Sequence, residues 1–157
     1  MSGFRRGVRL GVDVGKARVG VARCDPDGLL AVPVETVPRD EHSAARIAQI
    51  AAEYDAFELL VGLPVSLSGN ETASTTDARD FAALLHSAAS RPVRLVDERL
   101  STVSAHAALR TSGRSQKSSR KIVDQVAAVV LLQQAIDVEK RSGTPAGTLL
   151  SDSQEPA

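Results

Sequence analysis

Four acidic residues carry the clearest chemical signal in the chain. Asp13 lies in LGVDVGKARVGVA, residues 10 to 22, whose alternation of apolar and small residues otherwise suits the core of a sheet. Asp97 and Glu98 close the run PVRLVDE, and Asp124 falls in KIVDQVAAVVLL. Carboxylates brought together raise one another's pKa. A divalent cation relieves that repulsion, and hard oxygen donors select magnesium or manganese. Taken singly, each acid also has a plainer role. Asp97 suits the cap of a helix starting near Ser101, and Asp124 is a favourable acid near a helix N-terminus. No such role suits Asp13, which has Val12 and Val14 beside it and no turn before Gly15.

The cations are distributed unevenly. Nineteen Lys and Arg balance nineteen Asp and Glu over 157 residues, yet Arg99, Arg110, Arg114, Lys117, Arg120 and Lys121 fall between Arg99 and Val123 with no acid among them. The centre of that stretch, TSGRSQKSSRK, is rich in serine and glycine. It is expected to be a mobile loop able to follow a phosphate backbone. Three Phe, one Tyr and no Trp leave little for base stacking, so contact with backbone and shape is expected instead.

These residues need elements to hold them. Residues 7 to 14, 17 to 24 and 29 to 36 pattern as strands joined by VGK and by the turn signal DPDG, connections too short for helical crossovers; an antiparallel meander follows. Ala44, Ile47, Ala48 and Ala51 then share a helical face, FELLVGLP is a buried strand, and Ala78, Phe81, Ala82 and Leu85 mark a second helix. PVRLVDE is the fifth strand, residues 101 to 110 a short helix and residues 120 to 140 a long one. The order βββαβαβα predicts an α/β fold, a five-stranded mixed sheet with helices on both faces. Were strands one and five neighbours, Asp13 and a strand-five acid would share the carboxyl rim of the sheet, where such folds place ligands, and the last helix would lay Asp124 across it. The expected organisation is one domain over residues 1–141 and a disordered tail over 142–157, rich in Ser, Gly, Thr and Pro.

DVGKARVGVA, VGLPVSLSG, DERLST and KIVDQVAAVVLL together make the chain resemble the YqgF/RuvX family of RNase H-like nucleases, from about Leu10 to Leu132. The resemblance implies an RNase H-like fold. It implies Asp13, Glu98 and Asp124 as catalytic acids and metal ligands, choosing Glu98 over Asp97, with Mg2+ or Mn2+ as cofactor. The implied activity is phosphodiester hydrolysis, in 5′-end maturation of pre-16S rRNA, in Holliday-junction resolution, or both. Lys16, Arg18 and the basic stretch would then offset phosphate charge, and Arg99 would either do the same or pair with a neighbouring acid. Lys121, three residues before Asp124, shares its helical face. In VGLPVSLSGNE, the Gly62 to Pro64 turn and Gly69 offer backbone N–H groups to a phosphate, while Asn70 and Thr72 serve as contacts or as a helix cap. The alternative is a non-catalytic nucleic-acid-binding or ribosome-assembly factor. A sugar-kinase-like reading needs a second domain for which the chain has no room.

No stretch approaches the roughly 18 apolar residues of a membrane span, and no secretory signal opens the chain, so a cytoplasmic protein is expected. Structured RNA or branched DNA is the expected partner. Two symmetric cuts in a junction suit a two-fold homodimer, with Cys24, beside DPDG, either near its interface or a reduced, inert thiol. His42, His86 and His106 show no ligand spacing.

Overall fold

The computed structural model describes residues 4–98 and 116–150, and side chains in the last helix from Gln125 onward. Six strands form one sheet in the order β3-β2-β1-β4-β5-β6. β1 (Arg9–Val14), β2 (Arg18–Cys24) and β3 (Ala31–Pro38) make the antiparallel meander. β4 (Glu58–Leu63) runs parallel to β1, and β5 (Val93–Asp97) parallel to β4. The DPDG turn closes through Gly28 N–H donating to the Asp25 carbonyl at 2.9 Å. β2 and β3 slip register at Val21/Ala22, a bulge in the edge strand.

Alternation along the strands builds two cores. Leu10, Val12, Val19, Val21, Leu59 and Val61 face α1 (Ser43–Glu53) and α2 (Ala73–Ala89). Ala22, Cys24, Ala31 and Leu60 face α3 (Gln116–Ser142), which answers with Ala128, Leu132, Ala135 and Ile136 at helical spacing. Gly11 lets α3 lie against β1, since a Cβ there would stand 2.8 Å from the Ala128 carbonyl oxygen. Three polar contacts fix α3 along β3 and the β2–β3 turn: Gln125 Nε2 donates to Thr36 Oγ1, Ala31 N–H to Gln133 Oε1, and Lys140 Nζ to the Gly28 carbonyl.

At the far end from the carboxyl rim lies a buried ion cluster. The Arg5 guanidinium forks between Glu58 and Glu139, Arg9 reaches Glu139 Oε2 at 3.1 Å, and Arg94 holds Glu58 at 2.9 Å. Arg9, 1% exposed, lies over the Phe4 and Phe57 rings.

The structure departs from the expectations in four places. α3 begins at Gln116 rather than near 120, because Gln, Lys and Arg are good helix formers and extend the first turns into the basic stretch. A sixth strand, β6 (Thr148–Leu149), pairs antiparallel with β5 where a disordered tail was expected. Positive-φ Gly143 and Gly147 turn the chain back onto the sheet, and Leu150 N–H donates to the Val93 carbonyl at 2.7 Å. Strands one and five are not neighbours, since β4 lies between them. Cys24 is fully buried, so its thiol is not at the surface where an intersubunit bond would need it; its position in β2 points it at α3, where its Sγ accepts from Arg9 N–H and donates to the Gly7 carbonyl. The helix expected over 101–110 lies outside the described residues.

Candidate active site

β1 carries Asp13 on the α3 face, in step with Gly11, and burial leaves it 7% exposed. The parity of β5 decides between its two terminal acids. Val93 and Leu95 belong to the α1/α2 core and Val96 packs on the α3 side, so Asp97 continues the first face and Glu98 the second. The Glu98 N–H donates to the Leu63 carbonyl at 3.1 Å, extending the ladder and bringing its side chain back over β4.

Glu98 and Asp13 nevertheless stand on strands separated by β4, and Gly62 resolves the difficulty. A Cβ at position 62 would lie 3.0 Å from Glu98 Oε2 and 3.2 Å from its carboxyl carbon. The missing side chain is the gap through which Glu98 crosses β4 to hydrogen-bond Asp13. Burial, with the Glu98 hydrogen bond and charge beside it, pushes the Asp13 carboxyl up from 3.8 to about 9. Two bare carboxylate charges are therefore disfavoured at this place.

Asp124 lies in α3 next to Gln125 and one turn before Ala128. Gln125 touches Thr36 of β3 and Ala128 lies over Gly11, so α3 brings position 124 to the same rim as Asp13. Its side chain lies outside the described residues, as do Arg99, Arg110 and Arg114 altogether and the side chains of Lys117, Arg120 and Lys121. Among the described residues no three acidic, histidine or cysteine side chains gather at one point. The donor set of Asp13 and Glu98 fits a hard divalent cation: two carboxylates share a confined place where burial and their mutual repulsion disfavour two bare charges, which a cation would offset.

The β1–β2 turn places Lys16 and Arg18 on opposite sides of itself. Arg18 shares the α3 face and lines a 590 Å³ cleft with Thr36 and Gln125. Lys16 is exposed and lines a separate 380 Å³ cleft with Arg39, Ser74 and Asp77. Arg39, which no sequence pattern marks, supports this turn. It donates to the Gly15 carbonyl at 2.9 Å, grips Asp77 through both terminal nitrogens and stacks over Phe81. Thr72 is a helix cap: it and Thr75 form a capping box at the start of α2, and the Thr75 hydroxyl donates to the Pro64 carbonyl. Asn70 bonds Ser68 and Ser66 within its own loop. No described helix is long and apolar enough to cross a membrane.

Comparison with known proteins gives the family and the fold. The family profile described as "RuvX: Holliday junction resolvase" matches residues 7–138. A protein of Clavibacter michiganensis named "Putative pre-16S rRNA nuclease" is 58% identical over 150 residues, covering 94% of this chain and 93% of that one. A Streptomyces coelicolor protein of the same name is 53% identical over 147 residues, covering 92% and 88%. Among solved structures, Thermus thermophilus RuvC in complex with a Holliday-junction substrate shares the fold at a TM-score of 0.57 and 18% identity, covering 92% of this chain and 99% of its own. With its mixed sheet, its paired acids beneath a long helix and a profile match across most of its length, the chain belongs to the RuvX family.

Proposed function

We propose that this protein is a metal-dependent nuclease that hydrolyses phosphodiester bonds in a structured nucleic acid. The observation that carries the reading is the meeting of Asp13 and Glu98 across Gly62, beneath the helix that brings position 124 to the same rim. Asp13, Glu98 and Asp124 would hold Mg2+ or Mn2+, which when bound activates water for in-line attack and stabilises the leaving oxygen. The protein's own part is to hold the acids within reach of one another, fixed by β1, by the Gly62 gap and by the polar contacts along α3. Arg18, on the same face as Asp13, would bind a substrate phosphate, as would Lys16 across the turn and the cations of the 99–121 stretch. The names of the relatives favour an rRNA precursor as substrate, and the family description a DNA junction. A cytoplasmic setting suits either substrate, and a two-fold homodimer suits the junction.

The test is cleavage of a pre-16S 5′-leader RNA and of a four-way DNA junction, with and without Mg2+, by the native chain and by Asp13→Asn. Cleavage of at least one substrate is expected only with the metal. Asp13→Asn should lower it on the order of a thousandfold with the fold intact. Metal-independent cutting, or undiminished cutting by the variant, refutes the reading, and the non-catalytic binding factor then takes its place.

A further inference from the structure

The cleft beside Asp13 has a composition that the paired acids do not account for. Its 590 Å³ are lined by Ala17, Arg18, Glu35, Thr36, Pro38 and Gln125. Strand register fixes its place: Asp13 stands opposite Gly20 of β2, and Gly20 opposite Thr36 of β3. Residues directly across from one another share a face, so Asp13, Gly20 and Thr36 form one row across the sheet. Gly20 contributes no side chain between them. Two strand spacings, about 10 Å, separate the ends of the row. Arg18, two residues before Gly20, points to the same side.

From above, Gln125 Nε2 donates to Thr36 Oγ1 at 2.6 Å, and Gln125 directly follows Asp124. The one acid in the lining is turned away. Glu35 pairs across from Val21, a residue of the opposite core, and Arg46 of α1 grips its carboxylate at 2.7 and 3.0 Å. The lining thus comprises a guanidinium, a hydroxyl and a carboxamide, and its one carboxylate among the described residues has its own cation. With its bond to Gln125 made, the Thr36 hydroxyl still has its proton to donate, and Gln125 Oε1 still accepts. A donor and an acceptor side by side match a group that is itself both. The ribose 2′-hydroxyl is such a group, and it is what distinguishes RNA from DNA at a given site.

We propose that this cleft holds the sugar–phosphate unit adjoining the scissile phosphate, with Arg18 on the phosphate and the Thr36–Gln125 pair on the ribose 2′-hydroxyl, so that the site favours RNA. The proposal rests on the nuclease reading above and names its substrate class.

The test compares kcat/KM on an RNA strand and a DNA strand of one sequence for the native chain, Thr36→Val, Thr36→Ser and Gln125→Leu. Thermal melting checks that each variant is folded. Thr36→Val keeps shape and removes the hydroxyl. It should lower the RNA-to-DNA ratio of kcat/KM roughly threefold to tenfold, the value of one neutral hydrogen bond, and mainly through KM. Thr36→Ser should restore the ratio, and Gln125→Leu should lower it as Thr36→Val does. In the Asp13→Asn background without metal, fluorescence anisotropy on the same strands should show the same order in Kd. Equal handling of RNA and DNA by the native chain, or a ratio that Thr36→Val leaves unchanged, overturns the subsite and leaves the nuclease reading standing. Cleavage of neither strand, nor of the leader RNA and junction, overturns both.

Discussion

Replacing Glu139 by glutamine probes how the far end of α3 is held. Glu139 is 3% exposed and takes the Arg5 backbone N–H, the Arg5 guanidinium and the Arg9 guanidinium on its two oxygens. Burial alone would raise its pKa, but the hydrogen bonds and charges of the two arginines overcome it and lower the carboxyl from 4.5 to about 2. That fall is equivalent to about 3 kcal/mol of folding free energy. Because the folded-state value lies below the unfolded one, the contribution is complete above pH 4.5 and disappears as the pH falls toward 2. Glutamine imitates the protonated acid, so Glu139→Gln should cost about 3 kcal/mol at pH 7, or roughly 6 to 12 °C in Tm for a domain of this size. Urea denaturation of both proteins, repeated at several pH values, should show a gap that is constant from pH 7 to about 5 and narrows below. A gap under about 1 kcal/mol at neutral pH, or one that ignores acid, would mean that the cluster only compensates its own desolvation, as buried ion pairs can.

Further outcomes follow from other contacts. Gly62→Ala should press on Glu98 from 3.0 Å and reduce metal-dependent cleavage roughly tenfold to a hundredfold while Tm changes little; full activity would show that Glu98 does not cross β4 there. Asp13→Asn removes a carboxyl whose raised pKa opposes folding as the pH climbs above 3.8, so its Tm at pH 7 should equal or exceed that of the native chain. Thr72→Ala breaks the capping box and should cost about 1 kcal/mol by denaturant titration. The Cys24 thiol, buried and pushed up in pKa chiefly by that burial, should react with a thiol reagent only under unfolding conditions; rapid labelling of the native protein would contradict its position against α3.

Asp13 was legible because an acid inside an alternating apolar strand has no local use, and strand parity carried its orientation. The same parity could have chosen Glu98 over Asp97 without any family resemblance, since Val93 and Leu95 mark the other face. The partnership across β4 was not legible. It depends on strand order, and Gly62 acquires its meaning only once β4 is known to lie between β1 and β5. Arg5 and Glu139 are 134 positions apart, and no periodicity links them. Arg39 and the Thr36–Gln125 pair escaped notice for the same reason, being common polar residues whose significance comes from what tertiary packing sets beside them. β6 is two residues long, too short to leave a pattern, and its cause lies in two glycine turns.

The bulge in β3 bears on how copies of this chain can meet. An outer strand of a sheet is an open invitation to another chain's backbone, and proteins withdraw it with prolines, irregular register or very short strands. Here β3 carries Pro33 and Pro38 and slips register against Val21/Ala22 of β2, while the opposite margin is the two-residue β6. Both margins therefore resist continuation of the sheet into a neighbour. Among the described residues each sheet, with its acids at the rim, is a self-contained unit.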